Sequence, residues 1–199
     1  MPFLRSGSAP ATPAAALAVL LALGTLLAGS PAQAQSGRRG DPNSSTRYQE
    51  SAYDEIARLL GAGLPQEALD KLAPRLQARP ADPQLRFLEG ASLSQLGRAD
   101  EAIVIYTALT RDYPELPEPH NNLAVLHAAQ GRLDEARAEL ETALRLSPGY
   151  ATAYQNLGDV HAQLAGRAWT RALELDPANP ALRPRLQALR QLPLAPAAR

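Results

Sequence analysis

The sequence predicts an all-α protein, a solenoid of stacked helix–turn–helix hairpins. Three observations predict it. Glycine, alanine and proline recur at a fixed interval: Gly63, Gly97 and Gly131; Ala68, Ala102 and Ala136; Pro80, Pro114 and Pro148, each step being 34 residues. Between these markers the apolar residues fall at helical spacing. The repeating unit is also too short to cover its own apolar face, so neighbours must stack.

The elements follow in chain order. In residues 1–34, Arg5 is the sole charge and the run from Ala14 to Ala28 is apolar or small throughout. It ends in Ala32-Gln33-Ala34. A basic start, a short apolar run and a small-x-small end are the parts of a secretory signal peptide. Cleavage would leave Gln35 first. An uncleaved anchor is the rival reading, but a span needs about 20 apolar residues. Residues 35–48 carry Gly, Pro, Ser, Asn and Arg with little apolar surface, which predicts a flexible linker. The repeat units are 49–82, 83–116 and 117–150, followed by a shortened unit at 151–179. Residues 180–199 are read as a capping helix, carried by Leu182, Leu186 and Leu189, and a disordered tail.

Unit 117–150 shows how one repeat folds. Leu123, Ala124, Leu126 and His127 share one helical face. Gly131 interrupts, as suits a left-handed helix end. Asp134 and Glu135 then complement the positive end of a new helix. Ala136, Leu140, Ala143 and Leu144 form the second stripe, and Pro148 stops it because proline cannot continue a helix.

The fourth unit departs from this pattern. Its matching alanine, Ala165, and proline, Pro177, come five residues early, and the residues that would hold the turn are missing. Tyr154, Leu157, His161, Leu164, Ala168, Ala172 and Leu175 form one unbroken stripe. We therefore expect one helix over 151–175, about 37 Å long, with a cramped hairpin bending at Ala165-Gly166 as the alternative. Trp169, the only Trp, lies on the projecting half. It packs either within the chain, against the helix near 182–191, or on the surface of another molecule.

These residues resemble the tetratricopeptide repeat, W-x2-L-G-x2-Y, then A-x3-F, then P. The match runs through Tyr154, Leu157, Gly158, His161, Ala165, Trp169 and Pro177, and through His120, Leu123, Ala124, His127, Ala136, Leu140 and Pro148. It continues in Gly90, Leu93, Ala102, Tyr106 and Pro114, and is weakest in Leu59, Ala68, Leu72 and Pro80. The resemblance implies a concave groove lined by the first helix of each hairpin. Carried over by phase, Tyr53, Asp54, Ala57, Phe87, Leu88, Ala91 and Ser94 belong to it, as do Asn121, Asn122, Val125, Gln155, Asn156 and Asp159. Amides both donate to and accept from a peptide backbone, and Phe87 offers an apolar anchor. The competing reading makes Asn122 and Asn156 residues that settle helix contacts. A Lys/Asn/Arg clamp for acidic C-termini, used by similar domains, fits only at Asn122; Phe87, Thr152 and Asn156 stand at its other phases.

The chemistry of catalysis is not announced anywhere. There is no cysteine, and 20 basic residues balance 20 acidic ones. A neutral balance argues against nucleic acid, which needs a basic face. His120, His127 and His161 occupy aromatic phases of the repeat, with no H-E-x-x-H or comparable zinc spacing. No G-x-S-x-G or phosphate-binding glycine loop occurs. The sequence thus points to a non-catalytic adaptor or scaffold without metal or cofactor. Its expected setting is the bacterial periplasm, or outside the cell, and its expected partner a protein or peptide of the cell envelope. No nucleic acid or small-molecule substrate is expected. Two alternatives stand beside this: a homodimer formed through helix 151–175 and Trp169, and a protein tethered by its uncleaved N-terminus.

Overall fold

The computed structural model describes residues 42–192, with side chains from Ala52 onward. Within them lie eight helices: α1 (Pro42–Gly61), α2 (Pro65–Ala78), α3 (Pro83–Gln95), α4 (Ala99–Asp112), α5 (Pro117–Ala129), α6 (Leu133–Leu146), α7 (Ala151–Leu175) and α8 (Leu182–Arg190). Three hairpins, α1–α2, α3–α4 and α5–α6, stack in order, and each packs against the next.

The 34-residue register is a register of turns. Gly63, Gly97 and Gly131 have φ of 72°, 75° and 74°, a left-handed conformation that a side chain disfavours. At each, the residue after the glycine donates its N–H back across the helix end. Leu64 reaches the Leu59 carbonyl at 2.9 Å, Arg98 reaches Leu93 at 2.9 Å and Arg132 reaches His127 at 2.8 Å. This satisfies carbonyls that the ending helix would otherwise orphan. Glu67, Asp100, Glu101, Asp134 and Glu135 then occupy the first turns of α2, α4 and α6, where negative charge suits the helix dipole. Pro80, Pro114 and Pro148 each lie two residues past the end of the second helix. Asp82 closes the first unit by accepting the Gln84 and Leu85 N–H groups at the start of α3.

The core is a chain of local clusters. Ile56, Leu60, Ala68, Leu72, Leu85 and Leu88 join α1, α2 and α3. Leu93, Ala102, Tyr106, Leu109, Leu123 and Leu126 join α3, α4 and α5. Ala124, Ala136, Leu140, Ala143, Ala153 and Val160 join α5, α6 and α7. Alanines at the repeat phases are wholly buried, which lets the helices approach closely.

Two expectations are decided here and one is corrected. Residues 151–175 form a single helix of 25 residues without a bend at Gly166, because no residue in the unit supplies a left-handed turn. A short helix, α8, follows as expected. The expected flexible linker over 35–48 is wrong from residue 42 on, since α1 begins at Pro42. Proline suits the first position of a helix. Helix growth adds a bond per residue once a packed segment has nucleated it, so the apolar count of the lead-in alone did not decide its state. The expected signal peptide, residues 1–34, and the tail after 192 lie outside the described residues. Among the described residues no helix is long and apolar enough to cross a membrane.

Candidate functional site: the inner helices

The first helices of the units, α1, α3, α5 and α7, carry the residues expected to line a groove. Several of them turn out to hold the stack together. The Asn156 amide on α7 donates to the Asn121 side-chain oxygen on α5 at 2.8 Å. Asn121 donates in turn to Asn122 at 3.3 Å, and Asn122 donates to the Tyr106 hydroxyl on α4 at 3.0 Å. One line of amides thus ties three consecutive units. Asn121 is 4% exposed, so these bonds meet its needs where water cannot.

Tyr106 is the hub of this arrangement. It is fully buried, and burial pushes its hydroxyl far up from the ordinary tyrosine value. Phe87 packs its ring at 5.6 Å from that of Tyr106, tilted by 57°, an arrangement favourable to two aromatic quadrupoles. Gly90 lies beneath the same ring, so close that a Cβ there would meet it at 2.8 Å. Phe87, Asn121, Asn122 and Asn156 therefore all make contacts inside the stack. The competing reading of Asn122 and Asn156, as residues that settle helix contacts, describes bonds that both of them make.

The remaining expected groove residues are more open. Gln155 is exposed, while Val125 and Asp159 are half-buried. Tyr53 on α1 is engaged elsewhere. Its hydroxyl donates to Asp82 at 2.6 Å, and Arg79 bonds both partners. Burial and the adjacent Asp82 carboxylate raise the Tyr53 hydroxyl above its usual value. Tyr150, at the start of α7, is pushed up to about 12, chiefly by burial and secondly by the Glu118 carboxylate.

The histidines divide by environment. His120 Nδ1 lies 2.6 Å from Glu139 on α6. His127 is half-buried, its Nδ1 has no hydrogen-bond partner among the described residues, and burial, with the Arg132 charge, lowers it below the ordinary imidazole value. His161 is exposed on α7. Among the described residues no three His, Cys, Asp or Glu side chains converge as metal ligands would. Sequence reasoning missed Glu89, a half-buried carboxylate on α3 raised by burial. The signal was available: Glu89 stands at the repeat phase of Leu123 and Leu157.

Trp169 packs on α8. The Arg185 guanidinium lies 5.8 Å from its ring centroid, and Leu189 of α8 sits directly over Gly166. The ring is nevertheless only half-buried.

Hairpins stacked through matching turns and local cores define an α-solenoid repeat protein. Residues 127–164 match the model described as "TPR repeat", and the fold is like that of tetratricopeptide solenoids. Among curated proteins, the chain is 38% identical over 84 residues to the chloroplastic tetratricopeptide repeat domain-containing protein PYG7 of Arabidopsis thaliana. That match takes in 40% of this chain and only 28% of the relative. Among solved structures, TTC0263, a thermophilic TPR protein of Thermus thermophilus, superposes with a TM-score of 0.54 at 24% identity, covering 70% of this chain and 80% of that one. The first TPR of Spaghetti (RPAP3), bound to the HSP90 peptide SRMEEVD, gives 0.53 at 19% identity over 58% of this chain and 91% of that one. At such identities the likeness is one of fold.

Proposed function

We propose that this chain is a non-catalytic adaptor that binds a protein or peptide partner along the inner helices α3, α5 and α7, and that it acts in the bacterial cell envelope after export. The observation that carries the reading is the solenoid itself, with Val125, Gln155 and Asp159 open to a ligand beside a fixed amide network. The structurally similar Spaghetti domain holds a peptide, which supports a peptide-sized ligand here. That peptide ends in acidic residues, whereas Asn122, the one clamp residue this chain retains, is bonded to Tyr106. The partner is therefore not an acidic C-terminus of that kind. Extended peptide backbone, read by amides, and a modest apolar contact at Val125 fit the available groups.

Export rests on the sequence of residues 1–34, with its basic start, apolar run and Ala32-Gln33-Ala34 end. The mass of the chain recovered from cell envelopes tests it: a chain beginning at Gln35 supports cleavage, and a retained N-terminus supports the tethered alternative. For the adaptor, photo-crosslinkers placed at Val125 and Gln155, with Val104 on α4 as control, should trap the same partner from the first two only. The Gln155→Ala, Asp159→Arg double variant should lose it while melting like the parent. Equal trapping at Val104, or undiminished trapping by the double variant, would overturn this placement.

A further inference from the structure

The shortened fourth unit leaves a seat empty. In the second unit the glycine of the first helix, Gly90, is roofed by Tyr106 of the second helix. In the third, Ala124 at the same phase is fully buried, and Ala136 and Leu140 of α6 belong to the same core cluster. Gly158 stands at this phase in the fourth unit, 34 residues after Ala124, and among the described residues nothing lies within 4 Å of where its Cβ would be. Around it Tyr154 is 55% exposed and His161 is exposed, although their counterparts His120 and His127 are half-buried. Among the described residues, nothing covers the face that elsewhere receives a second helix.

The chain does carry the missing second helix. Ala165-x3-Trp169-x2-Ala172 has the pattern of Ala136-x3-Leu140-x2-Ala143. But it continues α7 in a straight line, about 16 Å beyond Gly158, so Trp169 cannot fold back onto its own glycine. The bare face runs on through Ala168 to Leu175, which is 71% exposed. Read as a seam, Tyr154, Gly158, His161, Ala165, Ala168, Ala172 and Leu175 step alternately by 4 and 3, the knobs-into-holes spacing of packed helices. From Tyr154 to Ala172 the steps, 4, 3, 4, 3 and 4, read the same in both directions. Laid antiparallel about position 163, Tyr154 of one helix meets Ala172 of another, and Gly158 meets Ala168, beside Trp169.

We propose that the occupant is a second copy of this chain. Two α7 helices pack antiparallel about a twofold axis, so that the first-helix half of each receives the second-helix half of the other and both Trp169 rings roof the partner's Gly158. A twofold interface requires a surface complementary to itself, and the palindromic seam with its reciprocal knob and seat meets that requirement. Size sets the strength. A seam of 18 residue steps, about 27 Å long and roughly 10 Å wide, offers on the order of 540 Å² between two copies. That is about a third of a standard stable interface, so the dimer is weak and forms by mass action. It uses a face of α7 away from the amide network and goes beyond the adaptor reading, which stands or falls separately through Val125 and Gln155.

Sedimentation equilibrium of the purified full chain, over about 1 µM to about 1 mM, tests it. The mass should rise from one chain to two, with the fluorescence of Trp169 shifting to the blue in step. Gly158→Tyr puts a ring into the seat from within its own chain, at a position where a Cβ meets no described atom within 4 Å, and should hold the protein at one chain mass while melting no lower than the parent. Trp169→Ala removes the knob and should do the same with helicity retained. A parent that stays at one chain mass throughout would overturn the proposal, as would a dimer that survives both substitutions.

Discussion

Gly90 and Gly158 occupy one phase of the repeat, two periods apart, and the same substitution should have opposite effects at the two. Replacing glycine by alanine inside a helix favours folding by about 1 kcal/mol in either place. At Gly158 none of the described residues opposes that gain, because none has an atom within 4 Å of the new Cβ. At Gly90 the Cβ would stand 2.8 Å from two carbons of the Tyr106 ring and 3.2 Å from a third. The ring cannot swing away: it is 1% exposed, its hydroxyl accepts from Asn122, and Phe87 packs against it. Overpacking of this kind costs about 1–3 kcal/mol. Since the propensity gain is common to both variants, the difference between them isolates the overpacking, and Gly90→Ala should fall below Gly158→Ala by about 1–3 kcal/mol. Urea denaturation followed by circular dichroism, at a concentration where the chain is monomeric, measures it. Equal stabilisation by the two variants would refute the close approach of α3 and α4 at Gly90.

Two further predictions concern the polar interior. Asn121→Ala removes an amide bonded on both sides and leaves the Asn156 donor without its partner, so stability should fall by about 1–3 kcal/mol in urea denaturation. His127 bears on pH. Burial holds its folded-state value below the ordinary imidazole value of 6.5, so the unfolded chain takes up a proton that the folded chain resists. The stability this contributes is full above about 6.5 and is lost as the pH falls toward the lowered folded value. His127→Phe should therefore lose less of its melting temperature than the parent between about pH 7 and pH 5; parallel profiles would count against the burial of that ring.

The solenoid was legible because its signals are local. A left-handed glycine every 34 residues, acidic residues one turn later and a proline after each second helix act within a few bonds of themselves. They need no knowledge of what packs where. The absence of those signals told as much as their presence: without a turn glycine, residues 151–175 had to run straight, and they do. The lead-in was misjudged from residue 42 because its helix is propagated from α1, whose packing on α2 and α3 the composition of 35–48 does not record.

The site was legible only as a set of phases. Sequence placed Phe87, Asn121, Asn122, Val125, Gln155, Asn156 and Asp159 on the inner helices. It left open which of them would face a partner and which a neighbouring helix. That choice depends on contacts between residues far apart in the chain, such as Asn156 with Asn121 and Asn122 with Tyr106. A helical period fixes the direction in which a side chain leaves its own axis, whereas the atoms it meets are fixed by the rotation and spacing of the next helix. The sequence by itself thus determined the repeat, its turns and the fused last unit. Only the tertiary structure decided that the amides bind one another and that Gly158, unlike Gly90, has no roof among the described residues.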